Sequence, residues 1–378
     1  MNAMNLPSPN LPPLRVLVVD DSALYRKVVR AVLEQLPNVE VIGHAQNGRL
    51  ALERIIADRP DVVTLDMEMP ELDGLGLLRE LKERRIELSA IMISTLTAAG
   101  AQATGQALQL GAFDFVLKPT SPTLKANEDQ LRADLAPRLE ACRLVRRDGA
   151  STRGGLRPAS AVESKLRTAS TSRPQFPSSA ASLRRAPEII GIGVSTGGPV
   201  ALNKLLPLLS PRTPPLVIVQ HMPPIFTKTL ADDLNRRCQL EVVEGYNGMT
   251  VQRGRAILAP GGKQMRIVRD ERRTYVQITD DPPERNCRPS VDFLFRSIAA
   301  EYGSKAWGAI LTGMGDDGAL GCRAMKERGA PILAQDEATC VVYGMPRAVA
   351  EAGLVDVVGP LETIAARINE SLLVGAIA

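Results

Sequence analysis

The stretch IIGIGVSTGGPVALNKLL, residues 189–206, is an apolar run, a glycine-rich turn around a serine, and then a helical pattern. Such a strand-turn-helix either cradles a phosphate or exposes a nucleophile, and the spacing separates the two. A dinucleotide-binding turn needs glycine at its first, third and sixth positions. Counted from Gly191, Gly193 is third but Thr196 is sixth. No Gly-Lys-Ser/Thr follows, so the P-loop pattern fails as well. The next apolar run, PLVIVQ (215–220), is followed by His221 where a ribose would require an acidic residue. Counted from Gly193, GVSTG is instead G-x-S-x-G, whose glycines permit the sharp turn that exposes Ser195.

A serine nucleophile needs a base and an orienting acid. The chain has 2 histidines. His44 falls in a different region and is expected only to pack, which leaves His221, at the same carboxyl edge as Ser195. A third run, GAILTG, leads into GMGDDGALG and supplies Asp316 and Asp317. One of them should hold the imidazole and the other cap the following helix; spacing does not decide which. The order Ser, His, Asp differs from the Ser, Asp, His of ordinary α/β-hydrolases.

Upstream, from Arg15 to about Pro119, short Val/Ile/Leu runs alternate with amphipathic helical patterns, the signature of a parallel sheet covered on both faces. The runs are RVLVV (15–19), VEVIGHA (39–45), DVVTL (61–65), AIMIS (90–94) and FDFVL (113–117). Ser22 is placed to cap the first helix, with Leu24, Val28, Ala31, Val32 and Leu36 as its apolar stripe. Five such units fit the flavodoxin-like doubly wound fold. Strand ends then bring Asp20, Asp21, Asp66, Ser94 and Lys118 to one edge. Three converging carboxylates suit Mg²⁺, and a carboxylate in that field is a phosphoryl acceptor, with Ser94 and Lys118 to bind the incoming oxygens.

Residues 127–147 read as a further helix carrying Leu131, Leu135 and Leu139, kinked or broken at Pro137. Between Ser151 and Pro187 the chain is rich in Ser, Arg, Pro and Ala and carries a net +6, while the net charge of the whole is +4. The basic residues therefore sit in a tether and not on a folded face, which argues against nucleic-acid binding. From Glu188 the apolar runs resume as a second α/β domain, with TYVQIT (274–279) expected to add antiparallel. The predicted division is a disordered N-terminus (1–12), a first domain (13–125), a helix and flexible linker (126–187) and a second domain (188–378). No apolar run approaches the roughly 18 residues of a membrane span, no export signal is visible, and 5 scattered cysteines fit a reducing compartment. A cytoplasmic protein, not embedded in a membrane, is expected.

These residues carry two resemblances. VLVVDDS, VVTLDMEMPELDG, MIST and FVLKP resemble the receiver domains of response regulators. That implies Asp66 as phosphorylation site, Mg²⁺ held by Asp20, Asp21 and Asp66, Ser94 and Lys118 as phosphate sensors, and Phe115 as the aromatic switch, with a histidine kinase as phosphodonor. GVSTGGP, VQHMPP, APGG, RPSVDFLF, LTGMGDDGALG and YGMPR resemble the chemotaxis methylesterase family. That implies Ser195 as nucleophile, His221 as base, Asp317 as third member, the Met314 N–H as oxyanion donor and Thr196 shaping the site, with no cofactor in this domain. It also implies demethylation of glutamates and deamidation of glutamines on chemoreceptor cytoplasmic helices, with the unphosphorylated receiver acting as a lid. A response regulator whose second domain only binds a partner is the rival reading; fluorophosphonate labelling at Ser195 discriminates. The loop from Arg285 to Arg288 is available to contact an acidic receptor surface.

Overall fold

Two units divide the chain, Met1–Leu144 and Val145–Ala378, and the computed structural model describes residues 12–152, 183 and 186–374 of them. The expected disordered N-terminus, apart from residue 12, and most of the expected linker lie outside the described residues. In the first unit, β1 (Leu14–Val19), β2 (Val39–Ala45), β3 (Val62–Asp66), β4 (Ser89–Ser94) and β5 (Asp114–Leu117) alternate with α1 (Ala23–Glu34), α2 (Gly48–Asp58), α3 (Gly74–Glu83), α4 (Ala98–Leu110) and α5 (Leu124–Thr152). The strands are parallel in the order β2-β1-β3-β4-β5, the flavodoxin-like order. Helices α1 to α4 start on side-chain caps, Ser22, Asn47, Asp73 and Thr97, so each strand end turns into a helix within a few residues.

Two local expectations are corrected. The buried face of α1 is Val29, Val32 and Leu33, flanked by Tyr25, Val28 and Leu36, while Leu24 is 65% exposed. Tyr25 anchors the first turn, which rotates the stripe by one residue, or about 100°. His44 is exposed, not packed.

Helix α5 runs through Pro137 without a break. Proline costs a helix one amide bond and crowds the preceding turn; Arg138 Nη1 donates to the Asp134 carbonyl at 2.7 Å, occupying an acceptor beside that position. Leu131, Leu135, Leu139 and Cys142 on this helix are buried in the same core as β1, β3 and β4. The helix assigned from sequence to the connecting segment 126–187 is thus, as far as Leu144, part of the first unit.

The second unit contains β6 (Ile189–Val194), α6 (Gly198–Leu205), β7 (Leu216–Gln220), α7 (Phe226–Asn235), β8 (Glu241–Glu244), β9 (Arg255–Leu258), β10 (Gln264–Arg269), β11 (Thr274–Thr279), α8 (Val291–Tyr302), β12 (Ala306–Ile310), α9 (Ala319–Glu327), β13 (Ile332–Gln335), α10 (Met345–Glu351), β14 (Val357–Gly359) and α11 (Leu361–Val374). Seven strands pair in parallel in the order β14-β13-β12-β6-β7-β9-β8. β10 and β11 form a separate antiparallel ribbon, so the tyrosine-containing run is antiparallel but stands outside the main sheet. Strand order runs outward in opposite directions from the β6–β12 pair. In an open parallel sheet that switch point opens the ligand crevice at the carboxyl ends.

Gly193 answers part of the question posed by its stretch. A Cβ there would lie 2.5 Å from Val291 Cγ1, so the glycine exists to let α8 pack directly on β6 and not to approach a phosphate. Gly197 at φ +77° supplies the left-handed turn between Ser195 and α6.

Candidate functional site

At the carboxyl edge of the first sheet, Lys118 Nζ donates to Asp66 Oδ2 at 2.8 Å and lies 3.1 Å from Asp20 Oδ2. Asp20 and Asp66 are buried and Asp21 is exposed. One carboxylate oxygen from each of the three comes within 4.8 Å of the other two. Asp20 Oδ1 accepts the Ser22 N–H at 2.8 Å, but buried Asp20 Oδ2 accepts no aligned hydrogen bond. This oxygen-only donor set, with a buried carboxylate oxygen that Lys118 pairs with but that accepts no aligned hydrogen bond, fits Mg²⁺. Burial and the Asp20 charge push the Asp66 carboxyl up to about 6 against the lowering pull of Lys118. Burial alone would lower the Lys118 ammonium, yet the two carboxylates hold it above its ordinary value.

The sequence reading did not single out Arg26 or Tyr25 here. Arg26 Nη1 donates to the carbonyls of Asp20 and Asp21 at 2.7 and 2.9 Å, fixing the turn that aims both carboxylates. The Tyr25 ring lies 4.7 Å from Lys118 Nζ. Ser94 is not joined to Asp66: its hydroxyl donates to the Gly100 carbonyl at 3.3 Å. Phe115 is buried at 4% exposure.

A raised acid is ionised at a cost: Asp66 lowers stability as pH climbs from about 4 to about 6, and the full penalty applies above that. Mg²⁺ should therefore raise the melting temperature of the first unit at about pH 8, and Asp66→Asn should erase most of that gain. Equal Mg²⁺ responses in the two proteins, measured by thermal denaturation, would refute the site.

In the second unit, Val194 pairs with Gln220 across β6 and β7, so the next residues, Ser195 and His221, emerge side by side. The His221 N–H donates to the Val194 carbonyl at 3.2 Å and the Ser195 N–H to the Thr312 carbonyl at 3.0 Å. Gln220, whose side chain the sequence reading overlooked, donates to the Ser195 carbonyl at 2.9 Å. Thr196 is buried, and its carbonyl accepts from Thr312 Oγ1 at 2.9 Å. Met314, half-buried in the loop after β12, has an N–H with no hydrogen-bond partner among the described residues.

Asp317, not Asp316, meets the histidine. Its Oδ2 lies 2.8 Å from His221 Nε2; since a carboxylate can only accept, Nε2 carries the hydrogen, and in the neutral ring Nδ1 is the acceptor. Oδ2 also accepts the Val291 N–H at 2.7 Å, and Oδ1 accepts Ser290 Oγ at 3.0 Å and the Asp292 N–H at 2.9 Å. The carboxylate thus sits on the N-terminus of α8. Burial alone would raise its carboxyl, but His221 and these N–H groups hold it below the ordinary value. Asp316 instead pairs with Arg285, which also lies 3.3 Å from Asp292. Arg285 is therefore engaged within the chain, and of the two arginines in that loop Arg288 remains to face a partner. Among the described residues no hydrogen bond joins the Ser195 hydroxyl to His221; such bonds often tighten only with substrate bound.

Burial works to lower the His221 imidazole, but Asp317 and Cys287 raise it to about 9. An ordinary imidazole titrates near about 6.5, so this environment moves the limb upward. A base must be neutral, so kcat/KM should climb as pH rises through about 9 and flatten beyond. A profile level from about pH 7 upward would refute the raised value, and one level down to about pH 5 would exclude His221 as the base. The same raised value means that the pairing stabilises the fold fully below about 6.5 and loses that contribution as pH passes about 9.

A family model for the response regulator receiver domain matches residues 16–126, and one for CheB methylesterase matches 190–368. Curated relatives named protein-glutamate methylesterase/protein-glutamine glutaminase include one from Desulfotalea psychrophila, 46% identical over 94% of this chain and 97% of its own length. Another, from Nocardioides sp., is 42% identical over 93% of each chain. The solved catalytic domain of Thermotoga maritima CheB methylesterase is 39% identical, covering 49% of this chain and 98% of that one, with a TM-score of 0.48. No helix among the described residues is long and apolar enough to cross a membrane. With a receiver model at one end, a methylesterase model at the other and relatives matching over more than nine-tenths of both chains, the chain belongs to the CheB protein-glutamate methylesterase/protein-glutamine glutaminase family.

Proposed function

We propose that this chain is a phosphorylation-activated esterase that hydrolyses glutamate methyl esters on the cytoplasmic helices of chemoreceptors, releasing methanol, and deamidates certain receptor glutamines. The observation that carries the reading is the 2.8 Å contact from His221 Nε2 to Asp317 beside a serine on the adjacent strand end. Ser195 Oγ attacks the ester carbonyl carbon as its proton passes to His221 Nδ1. The Met314 N–H is free to stabilise the oxyanion. Collapse expels methoxide, which takes the proton from His221 and leaves as methanol. Water then attacks the acyl-serine with His221 again as base, freeing the glutamate. A glutamine follows the same course with ammonia leaving. Asp317 holds the tautomer and stabilises the imidazolium.

In the receiver, the Asp66 carboxylate accepts a phosphoryl group from a histidine kinase. Asp20, Asp21 and Asp66 would hold Mg²⁺, which when bound offsets the charge of the incoming phosphoryl oxygens. Lys118, already 2.8 Å from Asp66, pairs with the new negative charge, and Ser94 must release Gly100 to reach it. Phe115 reports the change as the aromatic switch. The cytoplasm, where kinase and receptor helices are found together, is the compartment this reading requires; all five cysteines are free there.

The test is methanol release from methylated receptor membranes with and without acetyl phosphate. Activation by the phosphodonor should vanish in Asp66→Asn, leaving a low basal rate, and residues 188–378 alone should exceed the unphosphorylated full chain. A phosphodonor response that survives Asp66→Asn would sink the regulatory reading.

A further inference from the structure

Beside the His221–Asp317 pair lies a group that hydrolysis does not use. Cys287 Sγ is 3.9 Å from His221 Nδ1, the nitrogen opposite the one Asp317 holds. We propose that Nδ1 and Sγ together bind a thiophilic divalent cation, Zn²⁺, and that the metal reversibly inhibits the esterase by occupying the nitrogen that would accept the serine proton. The inhibition rests on His221 acting as the base; the binding does not.

Zn²⁺ bonds imidazole nitrogen at about 2.0–2.1 Å and thiolate sulfur at about 2.3 Å, so a tetrahedral ion between them sets nitrogen and sulfur about 3.5 Å apart. The observed 3.9 Å is long for a direct hydrogen bond but needs only a few tenths of an ångström of closure to share a metal. Asp317 on Nε2 forms the carboxylate–histidine–metal arrangement that fixes ring orientation in metal sites. Cys287 is equally well held. Glu284 and Cys287 exchange both backbone hydrogen bonds, at 3.1 and 2.7 Å, around Arg285 and Asn286 at φ +49° and +63°. Two consecutive left-handed residues without glycine cost free energy. The turn is braced by Arg285 on Asp292 and Asp316, and Gln264 Nε2 donates to the Cys287 carbonyl at 3.3 Å. The thiol's other polar contact among the described residues is the Arg285 carbonyl at 3.6 Å.

Ligand chemistry separates this site from the one in the receiver. Among the described residues two clusters present three donor atoms within 4.8 Å: Asp20, Asp21 and Asp66, all oxygen, and His221, Cys287 and Asp317, which mixes nitrogen and sulfur. The first suits Mg²⁺, the second a softer ion. Two direct protein ligands leave positions for water, so the metal should be exchangeable.

The experiment uses the full chain, Co²⁺ as optical probe and Zn²⁺ as inhibitor, with Mg²⁺ present throughout. Wild type should bind Co²⁺ with a thiolate-to-metal absorption band that Zn²⁺ abolishes. Zn²⁺ should suppress methanol release at least tenfold, with full recovery on chelation. Cys287→Ser should lose the band and require at least about tenfold more Zn²⁺ for half-inhibition, referred to its own metal-free rate. Cys238→Ser, a cysteine outside the site, should keep both. Equal bands and equal Zn²⁺ sensitivity in wild type and Cys287→Ser would overturn the site. A Cys287-dependent band without loss of rate would overturn the inhibition, and would place the error in the role given to His221 and not in the binding.

Discussion

Ser195→Ala should lower kcat for ester hydrolysis by about 10⁶, the scale of loss when a serine hydrolase of this type is stripped of its nucleophile. The fold should not register the change. Among the described residues, every hydrogen bond of Ser195 is made by its backbone: its N–H donates to the Thr312 carbonyl, and its carbonyl accepts from the Gly198 N–H at 2.8 Å and from Gln220 Nε2 at 2.9 Å. Alanine keeps all three, so melting temperature should be unchanged while methanol release disappears. Residual activity above a few per cent would identify a second nucleophile. Cys287 is the candidate on geometric grounds, since its sulfur lies 3.9 Å from the same imidazole. A Ser195→Ala, Cys287→Ala pair would then lose what the single variant retained.

What could be read from the sequence follows from how parallel sheets deliver residues. Every strand of such a sheet ends at the same edge, so Asp20, Asp66, Ser94 and Lys118 in the first unit, and Ser195 and His221 in the second, were placed by counting apolar runs. Direction within a turn was beyond that logic. Asp316 and Asp317 are neighbours between Gly315 and Gly318, both at positive φ, and the choice between them is made by the α8 N–H groups, which come from 25 and 26 residues earlier. Ser94 stood at the right strand end, yet its hydroxyl turned to α4. The stripe on α5 announced a buried face without saying what buries it, and the receiver core is the answer. The loop from Arg285 to Arg288 was legible as a loop but not as the turn that aims the Cys287 thiol, because Arg285 occupies a left-handed position that sequence would assign to glycine or asparagine.

Asp317→Asn separates the two duties of that carboxylate. Each oxygen already accepts two hydrogen bonds: Oδ2 from His221 and Val291, Oδ1 from Ser290 and Asp292. An asparagine must place its NH₂ at one of those positions, where it confronts donors in either orientation. With NH₂ toward His221 the ring must surrender the Nε2 hydrogen, which converts Nδ1 from acceptor to donor and removes the base. With NH₂ toward Ser290, the Asp292 N–H at the start of α8 loses its partner, and a buried donor left unmet costs about 1–3 kcal/mol. The first orientation predicts a loss of about 10⁴ in kcat, as when a catalytic triad is forced into the wrong tautomer; both predict a lower melting temperature, since the first leaves the Val291 N–H unmet as the second leaves that of Asp292. Either way the charge that holds His221 up is gone. The pH limb of whatever activity remains should therefore move down from about 9 toward the ordinary imidazole range. That displacement is the decisive readout, because a purely structural injury to α8 would lower the rate without moving the limb. A limb still near 9 in Asp317→Asn would mean that another group, not this aspartate, sets the protonation of His221.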